Sequence, residues 1–161
     1  MLLAQRCGFS DIDIRRIRIA ALMHDIGKLK IAPSILYKPG KLDAQEFEVM
    51  KTHTTLGAEM LVSIRGELGE LVRDVCRYHH EWHNGQGYWG RGATELSPHI
   101  PIVSIADVFT ALVTERPYKP AWPVRDALGY IQKQAGTQFS RELVEVFTSL
   151  ITASTYNERK F

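Results

Sequence analysis

The sequence predicts an all-α fold, a compact multi-helix bundle. Apolar residues recur at helical spacing along nearly the whole chain, no segment alternates apolar and polar residues over the length of a strand, and capping residues stand ahead of the periodic stretches. With 161 residues and no repeat, low-complexity tract or linker, positions 1–161 are read as a single domain.

The elements follow in order. MLLAQRCGFS reads as the tail of a helix ending at Gly8, without the basic region and long apolar stretch of a signal peptide. Ser10 caps a helix whose later part, IRIAALMHDI, is apolar almost all round; it is expected to be buried and to end at Gly27. A loop with Pro33, Pro39 and Gly40 comes next. Asp43 with Glu46 forms a capping box opening a helix through Phe47, Met50, His53, Gly57 and Leu61. ELGELVRDVCRYHH places Leu68, Leu71, Val72, Val75 and His79 at helical spacing, and HNGQGYWGRG, with four glycines, is a loop. Pro101 suits the first residue of the helix IVSIADVFTALV. Pro123 and Ser140 start two more helices, through Ala127-Leu128-Ile131 and Leu143-Val144-Phe147.

The formal charge of +2 argues against a strongly basic nucleic-acid surface, so an anionic ligand would have to be held by local charges. Cys7 and Cys76 stand far apart and outside any CxxC pair, which fits a reducing cytoplasm rather than a disulfide framework. No apolar run reaches the length of a membrane span.

Chemistry concentrates on histidine and aspartate. His24-Asp25 ends an apolar helix, and a buried Asp needs hydrogen bonds, a counter-charge or a metal. Alone, the pair also fits a satisfied core histidine and an aspartate neutralised by Lys28, one turn on. Asp107 lies in a second apolar helix, within a narrow polar stripe of Ser104, Asp107 and Thr110, where a metal or ligand explains it better than solvent. His53 stands near Gly57, whose small size permits close approach of another helix. His79-His80 ends a helix just before the glycine loop. Neighbours on a helix diverge by about 100°, so this pair is expected to reach two different metals rather than share one. Imidazole with carboxylate suits Fe, Mn or Zn, and the absence of thiolate pairs argues against a structural zinc. Two nearby metals suit in-line displacement at phosphorus.

Read together, HDIGK at 24–28, KTH at 51–53, HHEWHNGQGY at 79–88 and DVFTALVTERPYK at 107–119 resemble the HD-GYP domain in order and context. SILYKPGKL, LGAEML, IVSIADVF and GTQFSRELVEVF match between them, so the resemblance covers essentially the whole chain. That family is the branch of HD phosphohydrolases that degrades cyclic di-GMP. The resemblance implies a bundle of the HD-domain type with metal ligands at His24, Asp25, His53, His79, His80 and Asp107. It implies Asp25 as the bridging carboxylate, Lys28 at the scissile phosphate or in proton transfer, and Tyr88 as a ligand contact. Arg116 and Lys119 would hold the phosphates or guanine of the dinucleotide. It further implies two or three divalent ions, Fe or Mn rather than Zn, and cyclic di-GMP as partner rather than a nucleic-acid polymer. A sensory or receiver domain would precede the module in a longer parent, and a homodimer is compatible with it. His83 and His99 match no ligand position and are expected in a loop and at the surface.

Three departures qualify the match. Trp89 replaces the family's signature proline, losing its fixed φ; the indole would stack on a base or fill a gap. Thr110 stands where the family often has Asp, which would remove a carboxylate supporting the ligands. The family's additional His, or Glu, on an earlier helix has no counterpart, because neither residue occurs before His24. The domain is therefore expected to be N-terminally truncated, or its centre to lack one ligand. The resemblance implies metal-dependent hydrolysis of cyclic di-GMP to pGpG and onward to GMP. A second reading is a catalytically impaired module that binds cyclic di-GMP or a partner protein without turnover. A third is an HD phosphohydrolase for nucleotides or another cyclic dinucleotide; Tyr88, Arg116 and Lys119 argue against simple nucleotides.

Overall fold

The computed structural model describes residues 1–115 and 120–158, with side chains as far as 154. Among the described residues the secondary structure is helical, with a lone bridge between Ala135 and Phe139 and no named strand, as expected. Helix α1 (Leu2–Arg6) buries Leu3 and Ala4 and is followed by Gly8, whose φ of 79° turns the chain. The Ser10 hydroxyl accepts from the Asp13 amide and caps α2 (Asp11–Met23).

Two expectations about α2 need correction. The helix stops at Met23, and a separate 3-10 turn (Ile26–Lys30) begins one residue past Asp25, so His24-Asp25 sits in the joint. It is also not buried all round: Leu22 is 78% and Ile19 41% exposed, while Ile17 and Ala20 face the core. Apolar residues on every side do not dictate burial when only one flank meets neighbouring helices.

Part of the anticipated proline loop is a short helix, α3 (Pro33–Leu36), with Pro33 at its first turn. The capping box of Asp43 and Glu46 is present and opens α4 (Ala44–Lys51), but the helix breaks at Thr52 and resumes as α5 (His53–Met60). Thr52, Thr54 and Thr55 each donate a hydroxyl hydrogen bond to the carbonyl three residues back, a local competition that disturbs a continuous helix.

Helix α6 (Gly66–Tyr78) packs against α2 and α5. Helix α7 (His99–Val113) begins two residues before Pro101, with Pro98 at its N-cap. Helices α8 (Val124–Lys133) and α9 (Arg141–Glu158) start after Pro123 and Ser140 as expected, and the Ser140 hydroxyl accepts from the Leu143 amide. One core joins the elements, with Val72, Val75, Cys76, Ile100, Ile105, Ile131 and Phe139 almost wholly enclosed. Both cysteines are free. Among the described residues, no helix is long and apolar enough to cross a membrane.

Candidate metal centre

Four segments deliver the polar cluster: the joint after α2, the start of α5, the end of α6 and the middle of α7. What lets them meet is backbone contact. A Cβ placed on Gly27 would lie 1.9 Å from the His53 carbonyl oxygen and 2.5 Å from the Gly57 nitrogen. Gly57 permits the close approach expected of it, and its partner is the 3-10 turn that carries Gly27.

Asp25 lies at the middle of the cluster. Its Oδ1 is 3.3 Å from His53 Nε2 and 3.7 Å from His79 Nε2, and its Oδ2 is 3.3 Å from His24 Nε2. His24 Nε2 is also 3.6 Å from Asp107 Oδ1. The Lys28 ammonium donates to Asp25 Oδ2 at 2.5 Å, as the spacing suggested. His53 and His79 are buried and His24 and His80 half-buried. The His79 and His80 rings lie 4.0 Å apart.

The hydrogen bonds fix which imidazole nitrogen is free. Nδ1 of His24, His53 and His79 lies 2.6, 2.7 and 3.0 Å from the carbonyl oxygens of Ala21, Met50 and Val75. A carbonyl only accepts, so each Nδ1 carries a proton; the Nε2 of a neutral ring is then a bare lone pair, while His24 Nε2 faces two carboxylates, Asp25 and Asp107. Those lone pairs converge: His53 Nε2 and His79 Nε2 are 3.5 Å apart, both facing Asp25 Oδ1. Acceptors gathered in this way repel unless a cation lies among them. His24 Nε2 and Asp25 Oδ1 are indeed buried without a hydrogen-bond partner. The donor set therefore fits a divalent metal. His24, Asp25 and His79 form one group with ligand atoms within 4.8 Å of one another, and His53, His79 and His80 form a second.

His79 belongs to both groups and His80 to the second alone, so the adjacent histidines can serve two ions, as expected of them, or meet at one. His79 keeps helical dihedrals as the C-cap of α6, and its donor atom still lies within 4.8 Å of those of His53 and His80.

Proton affinities follow the geometry. Burial pushes the His24 imidazolium down, but the Asp107 and Asp25 carboxylates outweigh it and raise His24 to about 10. Burial also works against the Asp25 carboxylate, yet His24, His53 and Lys28 hold it well below the usual range. Burial, with neighbouring imidazoles adding repulsion, lowers His79 to about 3 and His80 to about 4. Both stay neutral and available as ligands at physiological pH. Burial and the nearby carboxylates push the Tyr88 hydroxyl up to about 12.

Supporting residues complete the picture, several of them unmarked by the sequence. The Ser104 hydroxyl donates to the His79 carbonyl at 2.6 Å, fixing the end of α6. The expected polar stripe on α7 divides in three: Ser104 is buried, Asp107 half-buried at the cluster and Thr110 exposed. Glu81 is buried and accepts from the amides of Trp89 and Arg91, at 2.6 and 2.8 Å. A Cβ on Gly87 would meet Glu81 Cα at 2.4 Å, so the loop folds tightly over that residue. The only hint in sequence was an acidic residue between a histidine pair and a glycine loop.

Tyr88 stacks on His80 with ring centroids 4.5 Å apart, which places it at the cluster. Trp89 neither fills a core gap nor lies loose; its indole Nε1 donates to Thr54 Oγ1 at 3.2 Å. His83 is exposed in the loop, as expected. His99 is half-buried instead of surface-exposed, between Ser97, Asp13 and the Phe9 ring, because α7 begins earlier than Pro101. Arg116 and Lys119 lie outside the described residues. A cleft of about 600 Å³ opens beside the cluster, lined by Asp25, Lys28, Leu29 and Tyr37 among others.

The family description "HD domain" matches residues 2–143. The chain belongs to the HD domain family. Among curated proteins, this HD domain is 40% identical to "Cyclic di-GMP phosphodiesterase" of Thermotoga maritima over 92% of its length and 40% of that protein. It is 39% identical to "Cyclic di-GMP phosphodiesterase response regulator RpfG" of Xanthomonas campestris pv. campestris, over 89% of the chain and 38% of that protein. It is 37% identical to "3'3'-cGAMP-specific phosphodiesterase 2" of Vibrio cholerae, over 89% of the chain and 28% of that protein. The chain thus spans less than half the length of these relatives. The HD domain fold is shared with Bd1817, an HDGYP protein from Bdellovibrio bacteriovorus, at a TM-score of 0.74 and 19% identity, over 93% of this chain and 48% of that one.

Proposed function

We propose that this HD domain is the catalytic module of a metal-dependent cyclic di-GMP phosphodiesterase, producing pGpG and then GMP. The observation that carries the proposal is the convergence of the His53 and His79 Nε2 atoms on Asp25 Oδ1, which is buried without a hydrogen-bond partner, an arrangement that calls for cations. The names of the relatives, cyclic di-GMP phosphodiesterases and cGAMP-specific phosphodiesterases, support the substrate class.

In this reading His24, Asp25, His53, His79, His80 and Asp107 would hold two or three divalent ions, Asp25 being the carboxylate that His24, His53 and His79 all face. Imidazole and carboxylate without thiolate favour Fe or Mn over Zn. Bound ions would supply Lewis-acid activation of water and neutralise charge developing on the phosphate. Lys28, half-exposed, next to Asp25 and on the cleft wall, would meet a phosphate oxygen of the substrate. Tyr88 offers a neutral phenol as hydrogen-bond donor to the dinucleotide. Arg116 and Lys119 would grip its phosphates or guanine. The module would act in the cytoplasm, consistent with two unpaired cysteines, behind a sensory or receiver domain. The words "response regulator" in one relative's name support that arrangement.

Incubation of the Mn- or Fe-loaded protein with cyclic di-GMP, followed by chromatography of the products, tests the proposal. The expected product is pGpG, abolished by Asp25→Ala. Turnover that persists in Asp25→Ala overturns the assignment. Tight binding without turnover in the loaded protein would favour the second reading, a binding module, for which Trp89 in place of the signature proline is the motivating observation.

A further inference from the structure

Helix α4 carries Phe47 and Lys51 one turn apart on one face, turned toward the loop that carries Tyr88 and Trp89. The Lys51 ammonium lies 6.0 Å from the centroid of Phe47, 5.8 Å from that of Tyr88 and 5.8 Å from that of Trp89. These distances are at the range of cation–π attraction. Its side chain is only 16% exposed, and its ion-pair partner Glu48, at 2.9 Å, is mostly in solvent. The rings show the opposite pattern, with Phe47 and Trp89 each 43% exposed. Simple packing would bury the rings and leave the ammonium in water. Here a cation is held beside three rings, two of which, Phe47 and Trp89, stay partly exposed.

We propose that Phe47, Lys51 and Trp89 form a subsite for a guanine base next to the metal centre. The inference rests on the cyclic dinucleotide reading and deepens it. The subsite is continuous with the cluster, since Tyr88 stacks on His80 on one side and meets Phe47 edge-to-face at 5.7 Å on the other. Trp89 is fixed at both ends, its amide on Glu81 and its indole nitrogen on Thr54. A proline at this position has no amide hydrogen and could make neither bond. The indole is therefore preorganised, and little freedom is lost when a base stacks on it. Stacking accepts any base, so selection must come from a polar group. Guanine presents two acceptors, O6 and N7, on one edge, whereas adenine pairs the N7 acceptor with an N6 donor. A lysine ammonium, which only donates, selects guanine.

The test is titration of the metal-loaded protein with GMP and with AMP, followed by tryptophan fluorescence. GMP is expected to quench a component of emission that is missing in Trp89→Phe, and to bind about tenfold more tightly than AMP. Lys51→Met should abolish the preference and Lys51→Arg should keep it. Phe47→Ala should weaken both nucleotides alike. Thermal unfolding of each variant separates loss of fold from loss of the subsite. Equal affinity for GMP and AMP, a preference that survives Lys51→Met in a folded protein, quenching unchanged in Trp89→Phe, or no binding of GMP overturns the proposal. The titration involves no turnover, so a protein that selects GMP but does not cleave cyclic di-GMP retains the subsite and refutes only the catalytic reading. Hydrolysis without guanine preference does the reverse.

Discussion

Gly27 and His53 touch through their backbones: a single methyl group on Gly27 would overlap the His53 carbonyl oxygen at 1.9 Å. That contact brings the His24-Asp25 joint against the first turn of α5, and the geometry of the cluster depends on it. Gly27→Ala is expected to lose about 3 kcal/mol of stability or more, because neither partner is a flexible side chain that could move aside. Gly129 is the matched control. A Cβ there meets nothing within 4 Å, and the residue lies inside α8, so Gly129→Ala should stabilise by about 0.5–1 kcal/mol. Chemical denaturation of the two variants measures both values. Equal effects would show that the Gly27 contact is not the constraint described.

Metal binding should release a proton. Asp107 and Asp25 outweigh burial and raise His24 to about 10, so below that pH a metal that takes its Nε2 must displace the proton held there. His79 and His80, lowered to about 3 and 4, are already neutral above those values and release nothing near neutral pH. Affinity should therefore rise about tenfold per pH unit toward pH 10. Calorimetry in buffers of different ionisation enthalpy reads the proton count directly, and a count of zero at pH 7 would contradict the arrangement around His24.

The same shifts set the pH dependence of stability in the metal-free protein. His24 binds its proton more tightly folded than unfolded, so its contribution is full below the ordinary histidine value of about 6.5 and is lost as pH rises through about 10. His79 and His80 bind theirs less tightly folded, so their contribution is present above about 6.5 and is lost as pH falls toward 4 and 3. Melting temperatures of the chelated protein should decline from near neutrality in both directions. A midpoint that stays level from pH 4 to 10 would refute this.

Glu81 holds the Gly87–Arg91 loop through two amides, and nothing else among the described hydrogen bonds takes those donors. Glu81→Ala leaves both without their acceptor, at a cost of about 1–3 kcal/mol. Its kinetic signature should be a raised KM with metal content unchanged, because the loop positions Tyr88 and Trp89 rather than a ligand. Loss of metal from Glu81→Ala would show that the residue acts on the centre itself.

Much of this was legible in the sequence, for identifiable reasons. Ser10, Asp43 with Glu46, Pro123 and Ser140 act through their nearest neighbours, so the helices they start were readable in place. The break at Thr52, the stop at Met23 and the early start of α7 depend on competing local hydrogen bonds or tertiary contacts that periodicity does not register. The six proposed ligands were found by motif, and the structure brings them together. Their protonation was not readable, since it depends on which carbonyl each Nδ1 meets. Glu81, Lys51 and the Gly27 contact went unseen because each acquires its role from a partner at least four residues away, on another segment in two of the three cases.

The most direct test of the account is the metal content of the wild-type protein and of Asp25→Asn after dialysis, measured by elemental mass spectrometry. Asn keeps the shape of the side chain but removes the charge on which His24, His53 and His79 converge. At least two ions per wild-type chain are expected, with a loss of affinity in Asp25→Asn beyond the roughly 10–100-fold typical of a supporting residue. Equal metal content in the two proteins would contradict it.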